Sequence, residues 1–170
     1  MPLKISKKRI CAILPKRKID AHKGSVGKIL LLCGSEGYTG AAALASMGAL
    51  RCGIGLVYLG VPRSIYQIEA TKLNEPVVFP LEDRDGMLSE TAISKIEPLL
   101  ERVDAVLIGP GLGVSCSTET IVTYVLKKFN GPVVLDADGI TVMKEHKDIL
   151  RDRTGQTIIT PHEGEFCRFT

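Results

Sequence analysis

Six short apolar runs alternate with helix-period segments along this chain, at residues 28–33, 55–59, 76–80, 105–108, 133–135 and 157–159. Runs this short and this apolar, bounded by glycine or proline, are strands of a sheet buried on both faces. Helical stretches separate them: an alanine-rich one at 41–51 stopped near Gly53, a short one through Ile65 and Ala70, and others at 89–101, 117–128 and 139–150. Pro98 should kink or shorten the third of these. This alternation predicts an α/β fold, a mostly parallel sheet with helices on both sides. Right-handed crossovers then bring the strands' C-terminal ends to one rim, where ligands of open sheets bind. Residues 25–170 read as part of one domain, and residues 1–24 as a basic leader packing across the sheet edge.

The formal charge of +3 is small and scattered, so it gives no argument for nucleic acid. The basic residues Lys4, Lys7, Lys8, Arg9, Lys16, Arg17 and Lys18 read as a solvated surface. No apolar run approaches the roughly 20 residues that span a bilayer. The five cysteines, Cys11, Cys33, Cys52, Cys116 and Cys167, show no C-x-x-C spacing, which leaves zinc and redox motifs unsupported. Reduced thiols in a cytoplasmic protein are expected, with Cys33 and Cys52 acting as small hydrophobes.

The chemistry-bearing residues gather at four strand ends. Gly34-Ser35-Glu36-Gly37-Tyr38-Thr39-Gly40-Ala41 leads from a strand into a helix, where glycines admit a ligand to the backbone and free N–H groups favour anions. It is no Walker A loop, because Gly27-Lys28 is followed by Ile29. Gly109-Pro110-Gly111-Leu112-Gly113 is either a tight crossover turn or a flat backbone surface for a planar ring or phosphate. Asp136 and Asp138, two apart on an extended chain, should point to the same side and could hold Mg²⁺ or sugar hydroxyls. Asp138 could equally cap the next helix, which makes Asp136 the better site candidate. Thr160-Pro161-His162-Glu163 fits a capping box with Thr160 as N-cap, and His162 could offer a donor to a ligand. His146 lacks a partner motif and is expected in solvent.

Thr160-Pro161-His162-Glu163-Gly164-Glu165 resembles the strand-end signature of the NAD(P)H-hydrate dehydratases, repair enzymes of ribokinase-like fold. His22-Lys23-Gly24, the two glycine-rich loops and Leu135-Asp136-Ala137-Asp138 resemble the same family in order and spacing. The resemblance implies a ribokinase-like three-layer α/β/α sandwich whose C-terminal part, with a Gly-Thr-Gly-Asp catalytic loop, is missing here. It implies dehydration of hydrated NADH or NADPH with ADP or ATP and Mg²⁺, by phosphorylation of the ring hydroxyl and phosphate elimination. It places Gly40, Ala41, Gly111 and His162 against the substrate. Glu165 resembles the glutamate that related kinases use near Mg²⁺ and phosphate, and Asp136 is the other candidate for that region by its own carboxylate at a strand end. The resemblance further implies a homo-oligomer, with a tetramer as one form, and a fragment inactive by itself. The rival readings are a ribokinase-like kinase for a vitamin precursor or sugar, and a non-catalytic nucleotide-binding fragment. A Rossmann dehydrogenase is disfavoured because no Gly-x-Gly-x-x-Gly follows the first strand.

Overall fold

The computed structural model describes residues 4–14 and 19–169. Lys16, Arg17 and Lys18 of the basic cluster lie outside them. In chain order the elements are α1 (Lys7–Ile13), β1 (Lys28–Leu32), α2 (Thr39–Arg51), β2 (Leu56–Pro62), a 3₁₀ turn (Arg63–Ile65), α3 (Tyr66–Lys72) and β3 (Val77–Leu81). A short ribbon of β4 (Asp83–Arg84) and β5 (Met87–Leu88) follows, then a second 3₁₀ turn (Glu90–Ala92), α4 (Ile93–Leu100), β6 (Ala105–Ile108) and α5 (Cys116–Lys128). The rest is β7 (Val133–Leu135), α6 (Asp138–Val142), α7 (Lys147–Asp152), β8 (Thr157–Ile159) and α8 (Glu163–Phe169).

Six strands form one sheet in the order β3-β2-β1-β6-β7-β8, every neighbouring pair parallel. The chain winds outward from β1 to β3, then returns to β1's other side and winds outward again to β8. The reversal between β1 and β6 is a topological switch point, the place where loops leave in opposite directions and open a crevice.

Alternation along β1 explains the layers. Leu30 and Leu32 belong to the core beneath α4 and α5, whereas Leu31 and Cys33 belong to the core beneath α2 and α3. All four are fully buried, and deleting any such leucine side chain typically costs about 2–5 kcal/mol. The second face is covered unevenly. Leu31, Leu107, Val134 and Ile158 are register partners across β1, β6, β7 and β8. Leu31 is buried, Leu107 and Val134 are partly buried, and Ile158 is 57 % exposed.

Several local expectations change. The stretch 89–101 begins as a 3₁₀ turn and is helical only over Ile93–Leu100, with Pro98 retained inside. The stretch 139–150 divides into α6 and α7, and His146 lies between them. His146 is not a solvated residue without a partner: its Nε2 stands 2.6 Å from Glu119 Oε1 on α5. Cys33 is buried as expected, but Cys52 ends α2 in an exposed position. Within the leader, every residue of α1 is exposed, while the backbone around Lys23 and Val26 packs on Gly55 at the start of β2. No helix among the described residues is long and apolar enough to cross a membrane.

Candidate functional site

The loops after β1, β6, β7 and β8 lie side by side, because those strands are consecutive neighbours with one polarity. After β1, Gly34 adopts φ +85°, and a Cβ there would stand 3.0 Å from the Ala42 methyl. This close approach seats the start of α2 directly on the strand end. Gly34 N donates to the Pro110 carbonyl at 2.8 Å, and the buried Ser35 hydroxyl donates to the Gly111 carbonyl at 2.7 Å. The two glycine-rich loops are therefore stitched together across the switch point. No side chain caps α2. Gly40 opens to empty space within its first turn, leaving helix-start N–H groups facing the rim.

The loop after β6 is both a tight turn and a backbone surface. A Cβ at Gly109 would fall 1.9 Å from the Asp136 carbonyl oxygen, so only glycine fits. At Gly111 a Cβ would come within 2.9 Å of the Cβ atoms of both Ala41 and Tyr38. Ala41 and Gly111, expected to share a ligand, are thus in contact.

At the end of β7 the expected pair of parallel carboxylates does not form. Ala137 stands at φ 49°, ψ −120°, a combination glycine adopts at the first central position of a type II′ turn. Gly139 N closes that turn on the Asp136 carbonyl at 2.9 Å. The chain is not extended there, so the two carboxylates part. Asp136 Oδ1 accepts from Ala137 N and from the Thr160 hydroxyl at 2.8 Å, whereas Asp138 Oδ2 accepts from Gly113 N at 2.9 Å. Asp138 does not cap its own helix; it stands in the first turn, where the helix dipole favours a carboxylate. A non-glycine residue at positive φ beside a rim carboxylate is strain of the kind that gathers at functional sites.

After β8 the capping box is present but displaced by two residues. His162 is the N-cap: its Nδ1 accepts from Gly164 N and Glu165 N at 3.0 and 3.3 Å. Glu165 closes the box by accepting from His162 N at 3.0 Å. Thr160 is released from capping and bridges to Asp136 instead. Two N–H donors on Nδ1 mean that the neutral ring carries its proton on Nε2. That Nε2 faces Glu165 Oε1 at 3.2 Å with the imidazole largely exposed. His162 occupies the same rim, two strands beyond the β6 loop, roughly 10 Å at ordinary strand spacing.

Asp136 Oδ1 and Glu165 Oε2 accept hydrogen bonds at different strand ends. Among the described residues no group of three or more His, Cys, Asp or Glu could hold a metal ion. These residues do not by themselves make a Mg²⁺ ligand set. His22-Lys23-Gly24 precedes β1 and packs by the start of β2, at the opposite end from the rim. It lies at the N-terminal ends of β1 and β2, which are interior strands of the sheet and not its edge. A cavity of about 340 Å³ also lies away from the rim, lined by residues including Leu126, Asn130 and Arg153. Arg153 there donates to the carbonyls of Leu126, Phe129 and Gly131, which marks a structural role.

Sequence reasoning missed the β4–β5 ribbon. Its tip, Asp85 and Gly86, has φ 51° and 74°, the pair of positive values that a two-residue hairpin turn needs. The Asp-Gly dipeptide was the available signal. The ribbon touches both glycine loops: Gly86 accepts from Glu36 N at 2.9 Å, and Met87 Sδ leaves no room for a Cβ at Gly113.

Comparison with known proteins accords with this arrangement. A family model described as NAD(P)H-hydrate dehydratase matches residues 29–170. The chain is 40 % identical over 150 residues to the bifunctional NAD(P)H-hydrate repair enzyme Nnr of Dictyoglomus turgidum, covering 86 % of this chain and 29 % of that one. An ADP/ATP-dependent NAD(P)H-hydrate dehydratase of Bacillus subtilis, co-crystallized with ATP/Mg²⁺, superposes with a TM-score of 0.73 at 31 % identity. That match covers 97 % of this chain and 55 % of the Bacillus one. A ribokinase-like superfamily protein of Enterococcus faecalis shares the fold, with a TM-score of 0.79 at 22 % identity. The chain thus spans between about a third and about half of these relatives.

Proposed function

The chain belongs to the NAD(P)H-hydrate dehydratase family and has its ribokinase-like fold, and from that premise we propose that its rim binds hydrated NADH or NADPH for dehydration. The observation that carries the reading is the stitched pair of glycine loops at the switch point, with Ala41 against Gly111. Gly40, with open space beside it in the first turn of α2, admits the substrate to the backbone, and Ala41, its N–H held by the Tyr38 carbonyl, lines the approach. Gly111 offers a flat backbone surface to the nicotinamide half. His162, its proton on Nε2, donates to an acceptor on the substrate in competition with Glu165. ADP or ATP with Mg²⁺ supplies the phosphoryl group that turns the ring hydroxyl into a leaving group. Asp136 and Glu165 border the region where that phosphate passes, held in place by Thr160 and His162. No catalytic base is assigned among the 170 residues. The same reading takes residues 25–170 as part of a single domain with 1–24 as its leader, in a cytoplasmic homo-oligomer.

Titration of the purified chain with hydrated NADH tests this. His162→Asn keeps an N-cap acceptor and removes the ring, so it should leave α8 intact and weaken binding about 3- to 10-fold, the scale of one hydrogen bond. Unchanged affinity would remove His162 from the site.

A further inference from the structure

Tyr38 is 63 % exposed although it sits at the centre of the stitched loops. Its backbone is fixed on both sides, Tyr38 N donating to Ser35 O at 2.9 Å and Tyr38 O accepting from Ala41 N at 3.1 Å. Gly37 before it adopts φ +84° with nothing within 4 Å of where a Cβ would lie, so the loop is bare beside the ring. The Tyr38 Cβ stands 2.9 Å from the position a Gly111 Cβ would take, so this exposed side chain leaves the backbone beside the Ala41–Gly111 contact. A large aromatic on a rigid backbone loses little conformational freedom when it meets a flat partner. It contributes nothing to the core from this position.

We infer that Tyr38 is the stacking platform for the adenine base of the dinucleotide, and so the residue that favours the dinucleotide over its nicotinamide mononucleotide half. The inference rests on the proposed function. The hydrated nicotinamide ring carries a tetrahedral hydroxyl-bearing carbon and is not flat, whereas adenine is planar and aromatic. The inner Ala41–Gly111 surface takes the first, and the exposed ring beside it takes the second. Base–aromatic stacking requires only the π face, so the tyrosine hydroxyl is dispensable.

The test measures dissociation constants of hydrated NADH and of the hydrated reduced nicotinamide mononucleotide for the unaltered chain, Tyr38→Ala and Tyr38→Phe. Because Tyr38 is exposed, both variants should fold, which circular dichroism verifies. Tyr38→Ala should weaken the dinucleotide about 5- to 100-fold, the span of one lost stack, and leave the mononucleotide unchanged. Tyr38→Phe should bind both ligands as the unaltered chain does. Unchanged dinucleotide affinity in Tyr38→Ala, or equal loss for both ligands, would overturn the adenine platform while leaving the functional reading in place. Failure of the unaltered chain to bind either ligand would overturn the functional reading and this inference with it.

Discussion

The Ser35 hydroxyl donates to the Gly111 carbonyl at 2.7 Å, joining two loops whose residues are 76 apart in sequence. With Gly34 N on the Pro110 carbonyl, it makes the floor of the switch-point crevice a single piece. Ser35 is only 2 % exposed, so water cannot easily replace it. Ser35→Ala should cost about 1–3 kcal/mol by stranding the Gly111 carbonyl. Urea denaturation should show a lower midpoint with an unchanged slope; an unchanged midpoint would mean the loops are held by other contacts.

Ala137 offers the opposite sign. Its backbone sits where glycine is at ease, and such strain is worth on the order of 1–3 kcal/mol. Ala137→Gly should therefore raise the thermal midpoint, although Ala→Gly usually lowers it through the unfolded chain. A lower midpoint would show that Ala137 is relaxed in solution.

The carboxylates set an acid limit. Lys95, hydrogen-bonded to Glu82 at 2.6 Å, holds the Glu82 carboxyl below its ordinary range against the opposing effect of desolvation. Lys128 does the same to Glu97 at 2.9 Å. A depressed folded-state pKa gives stability that is complete above the unfolded value and lost as pH falls through the folded one. Stability should fall as pH drops below the ordinary glutamate range, and Glu82→Gln should flatten part of that slope. An identical acid slope in the variant would show that the Lys95 contact does not persist in water.

Thiol chemistry separates the cysteines. Burial, with Asp136 nearby, pushes the Cys33 thiol far above its ordinary pKa, whereas Cys11, Cys52, Cys116 and Cys167 are exposed. Iodoacetamide on the folded chain should add four groups quickly and the fifth only on unfolding, as read by intact mass. Rapid modification of Cys33 would mean that β1 opens locally.

The six strands were legible because each is a short apolar run that has no other way to hide. The rim was legible because glycines and carboxylates end those runs at consistent places. What the sequence concealed was set by tertiary contact. Thr160 had the pattern of an N-cap, but Asp136 on the neighbouring strand claims its hydroxyl, and capping passes to His162. Asp136 and Asp138 had the spacing of a pair, but a positive φ at Ala137 parts them. His146 had no partner in sequence because Glu119 lies 27 residues away on α5.

The central claim, that the rim at the ends of β1, β6 and β8 holds the hydrated nicotinamide nucleotide, is tested most directly by amide chemical shifts. Titrating ¹⁵N-labelled chain with hydrated NADH should move the amides of Gly40, Ala41, Gly111 and His162 together along one saturable curve, while those around Asn130 and Arg153 stay still. Shifts confined to the Asn130–Arg153 end, or none at saturating ligand, would contradict the account.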